Sequence, residues 1–124
     1  TYEGNWKNGF KHGEGIKSRK EHNWIMYKGG WQWGRYHGFG TEYIQPNKMN
    51  YEGNWDNDKK SGFGKSFTKE GEIQFEGEWS DDLPYKGKLF NKGNLVYDGG
   101  IIVETNFDDK YSNLLSKNLF YHLL

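Results

Sequence analysis

At 124 residues the chain is one domain's worth of sequence, and with only 33% hydrophobic but 19% aromatic residues it lacks the aliphatic filler of a compact globule. Seventeen basic side chains balance seventeen acidic ones, which excludes a general field drawing the molecule to nucleic acid or to an anionic membrane surface. The absence of Cys excludes disulfides, thiolate chemistry and the common structural zinc sites. No apolar run approaches the roughly 20 residues that span a bilayer, and no charged-then-apolar signal segment opens the chain. A cytoplasmic location is therefore expected. The chain opens at Thr1, inside a repeat and without Met, so it is expected to be a fragment or a trimmed chain.

The first element is Tyr2, Glu3, Gly4, Asn5, Trp6, and it recurs. Tyr27, Lys28, Gly29, Gly30, Trp31 follow, then Tyr51, Glu52, Gly53, Asn54, Trp55, then the weaker Phe75, Glu76, Gly77, Glu78, Trp79 and Tyr97, Asp98, Gly99, Gly100, Ile101. The start-to-start spacings are 25, 24, 24 and 22 residues. A second element keeps step with the first: Gly13, Glu14, Gly15, then Gly38, Phe39, Gly40, then Gly62, Phe63, Gly64. In the fourth copy a single Gly87 arrives one residue late.

Alternation within each copy puts the first aromatic residue, the Gly and the Trp on one strand face and Glu3 and Asn5, or their equivalents, on the other. Turn formers separate the Trp from the Gly pair, namely Asn8-Gly9, Asn57-Asp58 and Asp81-Asp82, so each copy is predicted to be a hairpin. A second set, Pro46-Asn47, Glu70-Gly71 and Lys92-Gly93, falls between one hairpin and the next. The expected fold is all-β, a single-layer antiparallel β-hairpin solenoid over residues 1–105 with four to five repeats. Its core is an aromatic ladder of Tyr2, Trp6, Tyr27, Trp31, Tyr51, Trp55, Phe75, Trp79 and Tyr97. Gly4 and Gly15 are expected to seat rings arriving from the next hairpin, because a residue without Cβ lets a ring lie against the backbone.

From about Asp108 the glycines stop, and Tyr111, Leu114, Leu115, Leu119, Phe120, Leu123 and Leu124 take helical spacing. Residues 106–124 are expected to form a short C-terminal α-helix that caps the array or docks a partner.

The pattern of aromatic, x, Gly, x, Trp, followed seven residues after the Trp by Gly, x, Gly, resembles the MORN repeat, the membrane occupation and recognition nexus motif. Three copies carry it closely, a fourth in part and a fifth in its opening. The resemblance implies an elongated β-hairpin rod with adaptor work and no reaction. Such repeats occur in ciliary and cytoskeletal scaffolds, at membrane junctions, and beside lipid kinase and lysine methyltransferase domains.

Four readings of function follow from these residues. The first is a non-catalytic scaffold that binds a partner protein along an aromatic-lined groove within a cytoskeletal, ciliary or other multi-subunit assembly. Here Trp24, Trp33 and Tyr36 are the candidate contacts, because they are rings outside the repeated pattern and Trp and Tyr dominate interface energetics. The second is a targeting array of a larger lipid-kinase or methyltransferase-type enzyme. The third is recognition of anionic lipid, phosphoinositide above all, through Lys17, Arg19, Lys20 and Lys28, on a membrane-peripheral rod. Self-association is the fourth. The basic first half (Lys7, Lys11 and Arg35 besides that patch, with Lys59 and Lys60 beyond) contrasts with later turns made acidic by Asp56, Asp58, Asp81 and Asp82.

No cofactor, metal or nucleic acid is expected. His12 and His37 hold the same place in successive repeats, which speaks for a structural role, and no nucleophile motif appears. The paired glycines lack the following helix that a phosphate-binding loop needs.

Overall fold

The computed structural model describes residues 1–21 and 23–100. The helix expected over 106–124, and Ile101 of the fifth copy, lie outside the described residues. Among the described residues nine strands occur in chain order: β1 Tyr2–Lys7, β2 Phe10–Ser18, β3 Ile25–Gln32, β4 Arg35–Gln45, β5 Lys48–Asp56, β6 Lys59–Phe67, β7 Ile73–Ser80, β8 Leu83–Asn91 and β9 Asn94–Gly100. They form one open antiparallel sheet in sequential order, each strand bonded to its neighbours in the chain. At ~4.8 Å per strand, the nine strands span about 38 Å.

The turns explain why the strands reverse where they do. Asn8-Gly9, Asn57-Asp58, Asp81-Asp82 and Lys92-Gly93 each have two residues with positive φ, the primed-turn geometry whose twist matches that of the flanking strands. The second copy, for which the sequence names no turn pair, turns at Trp33-Gly34 with φ of 51° and 82°. Asn, Asp and Gly suit that conformation, whereas Trp there costs on the order of 1–2 kcal/mol.

The two glycines of the Gly-x-Gly element have different jobs. Between the pairs Gly4↔Gly15 and Trp6↔Lys11, β1 has one residue and β2 has three, so the second strand carries a wide bulge. The first glycine sits in that bulge with φ of 86°, 81° and 72° at Gly13, Gly38 and Gly62. The second lies beneath a ring: a Cβ on Gly15, Gly40 or Gly64 would fall within 3.0 Å of the Tyr2, Tyr27 or Tyr51 phenol respectively. The ring comes from the first strand of the same hairpin, which corrects the expectation of a ring from the next one. Gly4 instead faces the backbone of Glu14 and Gly15, so the Gly4↔Gly15 pair lets two strands close up under one ring.

In the fourth copy the irregularity shrinks. Glu78 pairs with Lys86 and Trp79 with Pro84, which leaves only Tyr85 extra. A bulge of one residue needs no left-handed glycine, and this is why the Gly pair is missing there without loss of the hairpin.

Neighbouring hairpins are stitched at their turns. The Asp58 N–H donates to the Tyr36 carbonyl at 2.9 Å, and the Tyr36 N–H donates to Asp58 Oδ1 at 2.8 Å. Asp82 and Lys60 repeat the exchange at 3.1 and 2.8 Å. At the first junction only half of it exists: the Gly34 N–H donates to the Lys11 carbonyl at 2.9 Å, and Gly34 has no carboxylate to return the bond. A Cβ at Gly34 would meet nothing closer than Phe10 Cδ1 at 3.8 Å. Gly34→Asp is therefore expected to stabilise the fold by about 1 kcal/mol, the gain of a charge-assisted bond less the left-handed cost. A thermal midpoint unchanged or lowered would show that these carboxylates do not hold the repeats together.

Candidate functional site

The ladder satisfies its own chemistry. Tyr2, Tyr27 and Tyr51 each curl over the glycine pair and donate Oη to the carbonyl three residues on, at Asn5, Gly30 and Asn54, all at 2.8 Å. Each following Trp reaches back across the junction. Trp31, Trp55 and Trp79 donate Nε1–H to the carbonyls of Gly15, Gly40 and Gly64 at 3.1, 3.2 and 3.1 Å. Their indoles meet Tyr2, Tyr27 and Tyr51 edge to face at 5.1, 5.8 and 5.2 Å. Tyr27, Tyr51, Phe75 and the three Trp are buried. Tyr97 packs against this cluster and donates to Gly100. Trp6, the first rung, has no preceding described hairpin to reach back to and is 59% exposed.

A lid covers the rings, and it comes from one register position of the second strand in each hairpin. Lys11 places its ammonium 5.4 Å over Tyr2 and 5.2 Å over Trp31, and Lys60 does the same over Tyr51 and Trp79 at 5.4 and 5.2 Å. In the second hairpin that position is Tyr36, which stacks on Tyr27 at 3.7 Å with an interplanar angle of 4° and meets Trp31 and Trp55 edge-on at 5.0 and 5.2 Å. In the fourth it is the buried Pro84. Burial, with the Glu42 and Asp58 carboxylates adding to it, pushes the Tyr36 phenol up to about 12. Burial first, then neighbouring charges, likewise raises Tyr27 and Tyr51. Tyr27 and Tyr51 stay neutral donors, as their carbonyl partners at Gly30 and Asn54 require.

The three surplus rings are thus not brought together. Tyr36 is a lid on the ladder. Trp24 is half-buried in the connection before β3, where its carbonyl accepts the Arg19 N–H at 2.9 Å. Trp33 lies at the opposite end of β3, about 30 Å away along the strand. It is 46% exposed in the left-handed turn and meets the 50%-exposed Phe10 edge to face at 5.8 Å, with His12 at 5.0 Å and the Lys7 ammonium 5.7 Å over its indole. Phe10 and Lys7 have no repeat signature of their own, and only the approach of turn two to turn one reveals them. Phe39 and Phe63, each the middle residue of a Gly-x-Gly, are also exposed. They alternate to the face away from the ladder.

The basic set Lys17, Arg19, Lys20 and Lys28 is dispersed. Lys17 lies on the ladder side with its ammonium 5.9 Å over Tyr36. Lys28 alternates to the other face in register with Ile16 and Thr41, and Arg19 and Lys20 open the β2–β3 connection. Opposite charges are instead neighbours on that far face, where Glu52, Lys65, Glu76 and Lys88 are in register across β5 to β8 and Lys65 lies 3.9 Å from Glu76. His37 Nδ1 lies 3.5 Å from Asp56 Oδ1. Among the described residues no group of three or more His, Cys, Asp or Glu is placed to hold a metal ion.

The bulged Gly pair, the ring seated on it and the Trp that reaches back form one unit, repeated along the sheet. The family model of the MORN repeat matches at residues 2–21, 27–45, 51–68 and 75–84, more than half of the chain. No curated protein matches the chain as a relative. The hairpins and their shared aromatic core therefore have a family as well as a geometry, that of a generally non-catalytic binding repeat, and the chain belongs to the MORN repeat family.

Proposed function

We infer that the protein is a non-catalytic protein-binding scaffold, and that its contact surface is the hairpin-turn edge of the first two repeats, centred on Trp33. One observation carries the reading. Every other turn built of two left-handed residues places Asn, Asp or Lys at its first position, whereas the second hairpin places a half-exposed Trp there, in a backbone conformation that suits Trp poorly. The left-handed strain offsets what the ring gains from Phe10, His12 and Lys7, so fold stability gains little by this choice, but a rigid aromatic anchor on Phe10 is what an interface needs. Burial of the ladder takes most of its rings out of a partner's reach, and of the exposed rings Trp33 and Phe10 are the two that touch each other. Membership of a larger cytoskeletal or ciliary assembly fits a repeat array of this kind. The rival reading, an anionic-lipid patch at Lys17, Arg19, Lys20 and Lys28, is weakened by their dispersal over two faces and a loop.

Trp33→Asn separates the two roles, since Asn is the residue that the first and third repeats place in this turn. The variant is expected to unfold at the same temperature as wild type or higher, and to lose partner proteins captured by crosslinking from the native source. Retention of those proteins by a folded Trp33→Asn variant would move the contact elsewhere.

A further inference from the structure

The edge that carries Trp33 is charge-segregated along its length. Residues 7–11 and 32–36, the first two turns with their flanks, hold Lys7, Lys11 and Arg35 and no carboxylate. Residues 56–60 and 80–84, the next two, hold Asp56, Asp58, Asp81 and Asp82 against Lys59 and Lys60. The turns lie side by side, as the bonds from Gly34, Asp58 and Asp82 to the preceding hairpin require. With two strands per hairpin, the centres of the basic and acidic halves are about 19 Å apart. The aromatic pair of Trp33 on Phe10 belongs to the basic half of this edge. Much of the acidic half's charge is solvent-facing: the Asp56 and Asp81 side chains are 63% and 82% exposed.

The geometry points to a partner segment of block charge: an acidic stretch with an apolar side chain that sits on Trp33 and Phe10, joined through a spacer of about six extended residues to a basic stretch against Asp56 and Asp81. This deepens the reading of Trp33 as the contact and rests on it. A uniformly acidic segment gains at one end of the edge and is repelled at the other. A uniformly basic one meets the reverse. Only the segment with both blocks gains at both ends, and its orientation on the rod is then fixed.

The test uses the full chain and two synthetic peptides of identical composition. One has a Glu block around a single Phe, a Gly-Ser spacer and a Lys block, and the other has the same Glu and Lys residues alternating. Fluorescence titration is expected to give the block peptide at least about tenfold tighter binding, weakened about tenfold again between roughly 50 and 500 mM salt. Lys7→Glu with Arg35→Glu, and separately Asp56→Lys with Asp81→Lys, are each expected to remove the preference. The second pair should fold normally, because Lys7 and Lys92 already occupy the matching turn positions. Equal affinity for the two peptides, or binding of neither, overturns the inference. If wild type binds both peptides equally and Trp33→Asn abolishes both, the contact at Trp33 survives and the block-charge partner does not. Two further results also overturn it. One is a dimer of the chain alone that Lys7→Glu with Arg35→Glu dissolves, meaning a second copy fills the edge. The other is binding to phosphatidylserine vesicles lost in the same variant, meaning the basic half reads lipid phosphate.

Discussion

Gly40→Ala is expected to destabilise the protein by at least about 3 kcal/mol, a large share of the roughly 5–15 kcal/mol that holds a domain folded. The added methyl group would overlap the Tyr27 phenol, whose ring lies flat on Gly40. That ring has no free direction, because Tyr36 stacks on it and Trp31 and Trp55 meet its edges. Moving it also breaks the Oη bond to Gly30 in a buried setting, at a further ~1 kcal/mol. The control is Gly38→Ala. Gly38 has a φ of 81° and nothing within 4 Å of its would-be Cβ, so only the left-handed strain of about 1 kcal/mol applies. Urea unfolding of the two variants side by side decides the matter. Equal losses would mean that the Tyr27 ring yields to the added methyl group and that Gly40 is not needed as its seat.

Trp55→Ala has the next largest expected effect, about 3–5 kcal/mol, against less than about 1 kcal/mol for Trp6→Ala. The two residues share a motif position. Trp55 is 5% exposed, its Nε1–H is bonded to Gly40, and it packs against Tyr27, Tyr36 and Tyr51. Its removal opens a cavity at a junction and leaves the Gly40 carbonyl unpaired. In a quasi-one-dimensional array both adjoining hairpins then lose an interface. Trp6 touches Tyr2 alone among the ladder rings, at 5.1 Å, and is mostly in water. Chemical denaturation followed by circular dichroism measures the difference. Comparable losses at the two positions would show that reaching back to the previous hairpin contributes little.

Most of the fold was legible because its determinants are local. The Tyr-x-Gly-x-Trp alternation specifies a half-buried strand within five residues, and pairs such as Asn8-Gly9 specify a primed turn within two. The Gly-x-Gly element was legible as a position that needs glycine, although its division into bulge and seat was not. That division depends on which residues of β1 and β2 pair, and a two-residue offset between strands leaves no mark on either strand alone. The candidate site was less legible. Trp33 stood out as a surplus ring, but so did Tyr36, and nothing in the sequence told a turn position from a lid position. Tyr36, Lys11 and Lys60 each follow their Trp by five residues, but their common task appears only once their pairing with Trp31, Trp6 and Trp55 is known. A Tyr and two Lys share no obvious property until each is seen covering a ring, one by stacking and the others by cation–π contact. The stitching by Asp58 and Asp82 was hidden for the same reason, since both residues read simply as turn formers.

The sequence by itself therefore determined the repeat, the strands and turns and the one-sheet architecture, since alternation and turn chemistry act over two to five residues and recur with the period. The tertiary structure decided which ring rests on which glycine, which side chains cover the rings, that Lys17 and Lys28 face opposite ways, and that Phe10 and Lys7 gather around Trp33. These outcomes depend on register between strands whose contacting residues are as many as 26, 19 or 16 positions apart, as in Lys7 beside Trp33, Lys17 beside Tyr36 and Trp31 bonded to Gly15. A bulge of one or two residues shifts every such contact, and no local property of the chain records it.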